Sequence, residues 1–180
     1  MKFLPTTKEE MKNLGWDSID VLLISGDTYL DTSYNGSALV GKWLVEHGFK
    51  VGIIAQPEVN VPDDITRLGE PNLFFAVSGG CVDSMVANYT ATKKRRQQDD
   101  FTPGGVNNKR PDRAVLVYSN MIRRFFKGTT KKIVISGIES SLRRITHYDY
   151  WTNKLRKPIL FDAKADILSY GMGEMSMLEL

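Results

Sequence analysis

Four short segments place glycine beside a hydroxyl or a carboxylate: Ser25-Gly26-Asp27-Thr28, Ser78-Gly79-Gly80, Ser136-Gly137-Ile138-Glu139 and Gly171-Met172-Gly173-Glu174. Glycine lets a ligand approach the main chain, and a helix N-terminus following such a turn favours anionic groups. Any one of these segments also suits a tight turn between a strand and a helix; the coincidence of four carries the weight. The stretch from Ser136 to Trp151 adds Arg143, Arg144 and His147 beside Tyr148, Asp149, Tyr150 and Trp151. Arginine next to aromatic rings can stack on a base or clamp a carboxylate. The same residues also suit a packed bend whose arginines pair with acidic neighbours. Ser136 and Glu139 have capping-box spacing, and Ile138, Leu142 and Ile145 recur at the spacing of a helix core face. The candidate binding residues are Gly26, Asp27, Thr28, Ser78, Gly79, Gly80, Ser136, Gly137, Glu139, Arg143, Arg144 and His147. No residue is assigned a catalytic role.

Other chemistries are excluded by what the chain lacks. No Gly-x-Gly-x-x-Gly follows the first apolar run and no Gly-Lys-Ser/Thr loop occurs, which disfavours a standard dinucleotide or nucleoside-triphosphatase site. Cys81 is the single cysteine, and His47 and His147 are the two histidines. An internal disulfide framework, a thiolate zinc site and an iron–sulfur cluster held by this chain alone are thereby excluded. A reducing cytoplasm is the expected compartment.

The elements that must position these loops are legible as apolar runs. Residues 19–25 read as a strand buried on both faces, as a central parallel strand requires. Further strands are expected at 50–55, 73–77, 132–136 and 166–170, each stopped by glycine, proline or a polar turn. A polar segment, 26–35, precedes a helix over 36–47. A second helix opens at Pro111-Asp112 and closes at Gly128, with Ala114, Val117, Tyr118, Met121, Ile122 and Phe125 on one face. Alternation of strand and helix argues for a parallel sheet covered by helices, with ligands beyond the carboxyl ends of its strands. Residues 81–112 are too long for a simple connection.

The 180 residues carry a net charge of +3, unevenly spread. Residues 93–113 hold seven basic and three acidic side chains, and residues 131–158 seven and two, on an otherwise acidic body. Such segments favour phosphates, nucleic acid or an acidic protein surface, or are simply solvated. Few apolar side chains and many like charges predict that 93–110 is mobile or loosely packed. No apolar run is long enough to span a bilayer, no signal peptide is expected after Met1-Lys2, and no membrane partner is expected.

Several segments, taken in order, are similar to the N-terminal region of YgiQ-type radical S-adenosylmethionine proteins. They are Phe3-Leu4-Pro5-Thr6-Thr7, Gly52-Ile53-Ile54-Ala55-Gln56-Pro57, Asp83-Ser84-Met85-Val86-Ala87-Asn88-Tyr89-Thr90 and Lys109-Arg110-Pro111-Asp112-Arg113-Ala114. With them go Ser141-Leu142-Arg143-Arg144, His147-Tyr148-Asp149-Tyr150-Trp151 and Tyr170-Gly171-Met172-Gly173-Glu174. The resemblance covers nearly the whole chain.

The resemblance implies a longer protein whose downstream barrel carries a Cys-x3-Cys-x2-Cys motif, a [4Fe-4S] cluster and S-adenosylmethionine. This sequence stops before that motif, so it reads as an isolated domain, a truncated product or a split gene. The expected fold is a doubly wound, Rossmann-like sheet similar to cobalamin-binding domains, α/β in class, with five mostly parallel strands in the order 2-1-3-4-5. Residues 1–180 are expected to form one accessory domain, with 93–112 as a long basic loop, that caps the barrel and lines its cleft. The chain is expected to be inactive alone, and the radical SAM barrel is its expected partner. A cobalamin-binding domain is the first rival. The Asp-x-His-x-x-Gly pattern that would supply a cobalt ligand is absent, so any cobalamin binding is expected to be weaker than roughly 10 μM. A nucleic-acid-binding module using 93–113 and 143–157 is the second, less favoured rival.

Overall fold

The computed structural model describes residues 3–31 and 35–180. Residues 32–34 of the expected polar segment lie outside that description. Thr7 opens α1 (Lys8–Asn13) with a capping box: its hydroxyl accepts from the Glu10 N–H while the Glu10 carboxylate accepts from the Thr7 N–H. β1 (Val21–Ser25) is buried at all five positions. Asn35 caps α2 (Gly36–Glu46), its side-chain oxygen accepting from Ala38 N–H. β2 (Val51–Ala55), α3 (Pro62–Thr66), β3 (Phe74–Ser78) and α4 (Ser84–Asn88) come next. Then come α5 (Ala114–Phe125), β4 (Lys132–Ser136) and α6 (Gly137–Leu142). A hairpin of β5 (His147–Asp149) and β6 (Lys154–Arg156) leads to α7 (Ile159–Asp162), β7 (Ile167–Leu168) and α8 (Glu174–Leu178).

Five strands pair in the order β2-β1-β3-β4-β7, all parallel. This is the expected doubly wound α/β sheet, with β7 as its fifth strand. Alternate residues of each strand feed two cores. Leu22, Ile24, Phe75, Val77, Ile133 and Ile135 meet α1, α3, α5 and α7 on one face. Val21, Leu23, Ile53, Phe74, Ala76 and Val134 meet α2 and α8 on the other. Strands covered on both faces must be apolar at consecutive positions, which is why their signal was a run rather than an alternation.

Four expectations need correction or refinement. The fifth strand shrinks from 166–170 to Ile167–Leu168, paired with Val134 and Ile135 of β4, and before them the Ile133 N–H donates to the Asp166 carboxylate. The bend after α6 is an antiparallel hairpin, with Tyr148 opposite Leu155. Within 93–110, residues 93–98 are exposed as expected, but the stretch from 99 on is anchored: Asp99, Thr102, Asn107 and Arg110 are buried, and bridges join Tyr89 to Arg95 and Gln98 to Val106. Short polar side chains, not apolar ones, hold this segment, so an apolar count missed them. Ile138, Leu142 and Ile145 do not face a core; they are 49%, 62% and 63% exposed. Their spacing marks an apolar face but not what covers it.

Candidate functional site

The site lies at the carboxyl edge of the sheet, where β1 and β3 diverge towards helices on opposite faces. Ser25, Ser78 and Ser136 end their strands side by side in register, and each is followed by glycine. These glycines serve close packing between loops. A Cβ on Gly26 would lie 2.1 Å from the Gly79 carbonyl oxygen, and one on Gly79 would lie 2.6 Å from Glu139 Oε2. At Gly80, where φ is +108°, a Cβ would lie 2.1 Å from Asp27 Oδ1.

Buried charge fills the space over one half of this edge. The Arg110 guanidinium is fully enclosed, with Nη1 2.6 Å from Asp27 Oδ1 as a close ion pair and donating to the Gly79 carbonyl at 2.8 Å. Its Nε and Nη2 reach the Asp99 carboxylate at 3.3 Å. The other Asp27 oxygen accepts from the Cys81 N–H at 2.6 Å. Glu139 is also buried, and its two oxygens accept from Ser84 N–H at 3.0 Å and Val115 N–H at 3.2 Å, the starts of α4 and α5. Burial, reinforced by the nearby Asp83 charge, raises the Glu139 pKa above its ordinary value. Asp83 caps α4 through Met85 N–H and pairs with Arg143. The expected capping box is therefore not made: the Ser136 side chain caps nothing, and Glu139 serves two other helices.

The other half is open. A cavity of about 470 Å³ lies between the sheet edge, the start of α2, α6 and residues 171–177. Its size suits a small-molecule ligand. Leu23, Ala76, Val40, Ile138 and Met177 give it apolar walls; Asp27, Asn35, Ser37 and Ser141 supply polar groups. Cys81 borders it too, its thiol pushed up to about 11 by burial and by the hydrogen bond and charge of Asp27. At neutral pH it is a protonated thiol, a poor metal ligand and nucleophile.

Of the expected site residues, Asp27, Ser78, Gly80, Ser136 and Gly137 line the cavity. Gly26, Gly79 and Glu139 are packed into its supporting wall. Thr28 donates its N–H to the Phe101 carbonyl, Arg143 is engaged with Asp83, and Arg144 lies over the Tyr170 ring at 5.4 Å. His147 sits in the hairpin, with Nδ1 3.1 Å from the Ile145 carbonyl oxygen. His47 caps the C-terminal end of α2, its ring tilted against Trp43, and neither imidazole lines the cavity. Sequence reasoning missed Arg110, Asp83 and Asp99. Nothing in the basic run distinguished Arg110 from Lys109.

Among the described residues, no group of three or more His, Cys, Asp or Glu side chains is placed to hold a metal ion. None of their helices is long and apolar enough to cross a membrane. A [4Fe-4S] cluster that leaves one iron for S-adenosylmethionine needs three thiolates, and one protonated thiol does not fit that donor set.

An α/β domain with a ligand-sized cavity at its switch point defines the class. The family model described as radical SAM N-terminal matches residues 3–180, and the chain belongs to that family. It is 98% identical over 180 residues to a UPF0313 protein of Fusobacterium nucleatum, covering 100% of this chain and 32% of the relative. A UPF0313 protein of Thermotoga neapolitana is 61% identical over 178 residues, covering 99% and 31%. One of Methanocaldococcus jannaschii is 56% identical over 178 residues, covering 99% and 29%. The chain thus spans about a third of the length of these curated relatives. No solved structure matches it.

Proposed function

We propose that this chain is the N-terminal accessory domain of a radical S-adenosylmethionine enzyme, and that its strand-edge cavity forms one wall of the substrate cleft. The observation that carries this reading is the cavity at the switch point of a chain belonging to the radical SAM N-terminal family. Residues 1–180 act as one domain in this reading. The cluster, S-adenosylmethionine and the radical chemistry belong to the downstream barrel of the longer protein. The domain's own residues bind and orient: apolar walls exclude water, and the Ser37 and Ser141 hydroxyls offer hydrogen bonds that fix a substrate's polar end. Of the twelve expected binding residues, Asp27, Ser78, Gly80, Ser136 and Gly137 keep a ligand-facing role here, and the others support or lie outside the wall.

The test is anaerobic iron and sulfide reconstitution. The longer protein should take up about four irons per chain and this chain none. Ser37→Trp, at the cavity, should leave the iron content of the longer protein intact while changing substrate-dependent cleavage of S-adenosylmethionine. Unchanged turnover at full iron content would sink the cleft wall; a stoichiometric cluster on this chain would sink the accessory role.

A second reading rests on one contact. The hairpin brings the two basic segments together: Tyr150 Oη donates to the Ala91 carbonyl at 2.8 Å, and Lys93 lies over the Tyr150 ring at 4.5 Å. Lys93 of the first basic segment thereby lies against the hairpin that carries part of the second, a junction that suits a nucleic-acid backbone. Salt-sensitive RNA binding, lost on replacing Lys93 and Lys94, would promote it. For cobalamin the arrangement offers no imidazole, and binding weaker than roughly 10 μM is expected in calorimetric titration.

A further inference from the structure

Large apolar side chains crowd the mouth of the cavity. Ile138, Leu142, Ile145, Tyr170, Met172 and Met175 are each at least 49% exposed, and Met172 is 86% exposed. They form one rim. Ile138 and Met172 both line the cavity, the Gly171 N–H donates to Ser141 Oγ at 3.5 Å, and Arg144 bridges to Tyr170 through its ring face. Soluble monomers rarely leave contiguous apolar surface of this extent facing water.

We propose that this rim is the docking surface for the part of the longer protein beyond residue 180, and that docking closes the cavity between the two parts. The inference rests on reading the chain as the N-terminal part of a longer radical SAM protein. Curated relatives carry about twice as much further chain as is present here. The last helix, α8, begins beside the rim and places Met177 in the cavity wall. Chain that continues from α8 therefore starts at the rim, where a short tether gives it an effective concentration of order millimolar. A partner so held need bury only a modest apolar area to stay docked. Charge at the rim is sparse and of both signs: Arg143 is paired with Asp83, Arg144 lies over Tyr170 and keeps its charge, and Glu174 stands between Met172 and Met175. That favours an apolar partner over an acidic one. Because Ile138 and Met172 belong to both rim and cavity, a ligand in the cavity would touch both parts of the protein.

The test uses the full-length protein carrying a photoreactive benzophenone side chain at Ile145 or Met172. A third protein carries it at Leu73, which is exposed just before β3 at the opposite edge of the sheet. Irradiation should join positions 145 and 172 to peptides beyond residue 180 of the same chain, with no such product from position 73. Links between two copies would overturn the proposal in favour of a self-associating rim. Equal yields from all three positions, or none from the rim, would also overturn it. A second measurement guards against a poorly folded product: Leu142→Lys with Met172→Lys should speed amide exchange in segments 137–145 and 170–178, and unchanged exchange there counts against docking. Iron content of the same preparations separates the two ideas. A full-length protein without a cluster would undo the radical SAM reading while leaving the links to stand.

Discussion

The carboxyl edge of the sheet has two halves built from similar sequence and put to different use. On one side of Asp27, the glycine turns press against each other and Arg110, Asp99 and Glu139 fill the remaining space. On the other, the turns stop short and leave a cavity of about 470 Å³ under an apolar rim. Both halves begin at the same three serines in register. The difference lies in the cover: the long 81–112 connection folds back over the first half, and nothing among the described residues folds back over the second. A Ser-Gly strand end therefore announces a place where the backbone is approached closely, by a ligand or by another loop.

The largest effect should come from Arg110→Ala. Its guanidinium is the cation between two buried carboxylates, Asp27 and Asp99, and removing it leaves both uncompensated. Breaking such a pair from one side costs about 3–5 kcal/mol. Urea denaturation measures the loss, and trypsin, which in the native chain should cut first at the exposed Lys93–Arg96, should then cut rapidly after Lys109 as well, the one basic residue the variant keeps within 97–110. A loss below about 1 kcal/mol would mean that the packed half does not depend on its buried charge.

Paired glycine substitutions sharpen the contrast. Gly26→Ala drives a Cβ into the Gly79 carbonyl, which is backbone and cannot swing away. Overpacking of this kind costs about 1–3 kcal/mol. Gly36→Ala, on the open side at the start of α2, meets nothing within 4 Å. It should be neutral or stabilise by about 0.4–1 kcal/mol, since alanine loses less freedom on folding. Equal destabilisation by the two would erase the distinction between the halves.

A pH experiment probes the packed half alone. The Glu139 pKa is raised in the fold, by burial first and by Asp83 second, so its contribution is complete below its ordinary value of 4.5. That contribution is lost as pH rises through the elevated folded value, with a slope of at most about 1.4 kcal/mol per pH unit. Asp149 shifts the other way. Burial opposes its ionisation, but hydrogen bonds from Thr152, Arg113 and Arg156 outweigh burial, so its contribution is lost only below its ordinary value of 3.8. The windows do not overlap. Unfolding midpoints from pH 4.5 upward should fall for the native chain and stay flat for Glu139→Gln, which begins lower because its amide faces a backbone N–H.

The strands and the doubly wound class were legible because a strand buried on both faces must be apolar at every position, as Val21 to Ile24 are, whereas the order of the strands came with the family resemblance. α5 was legible because Tyr118, Met121 and Ile122 repeat at helical spacing towards a core that exists in this chain. Loop-to-loop contact was not legible. Arg110 and Lys109 are adjacent basic residues, yet one is enclosed and the other exposed, and only the three-dimensional course of 81–112 separates them. The candidate site was half legible. Strand ends located it, but composition could not say which glycines would face a cavity and which would face Glu139. Periodicity failed at α6 for a related reason, because Ile138, Leu142 and Ile145 would look the same whether their cover lay within residues 1–180 or beyond them.

That failure motivates the smallest expected effect. Leu142 is 62% exposed, so in this chain truncation to alanine removes few contacts and should cost less than about 0.5 kcal/mol, as surface changes do. Leu44→Ala, at 1% exposure, is the internal reference and should cost about 2–5 kcal/mol. In the longer protein Leu44→Ala should cost the same, because its neighbours lie within this domain. Leu142→Ala should cost more there, up to the 1.5–3 kcal/mol or so that full burial of a leucine contributes. Native-state amide exchange at Leu22 and Val134, core strand positions in both proteins, reads the domain's stability without assuming that the longer protein unfolds in one step. The size of the Leu142 difference between the two proteins measures how far the open half of the edge is covered, and a difference of zero would leave the rim facing water in both.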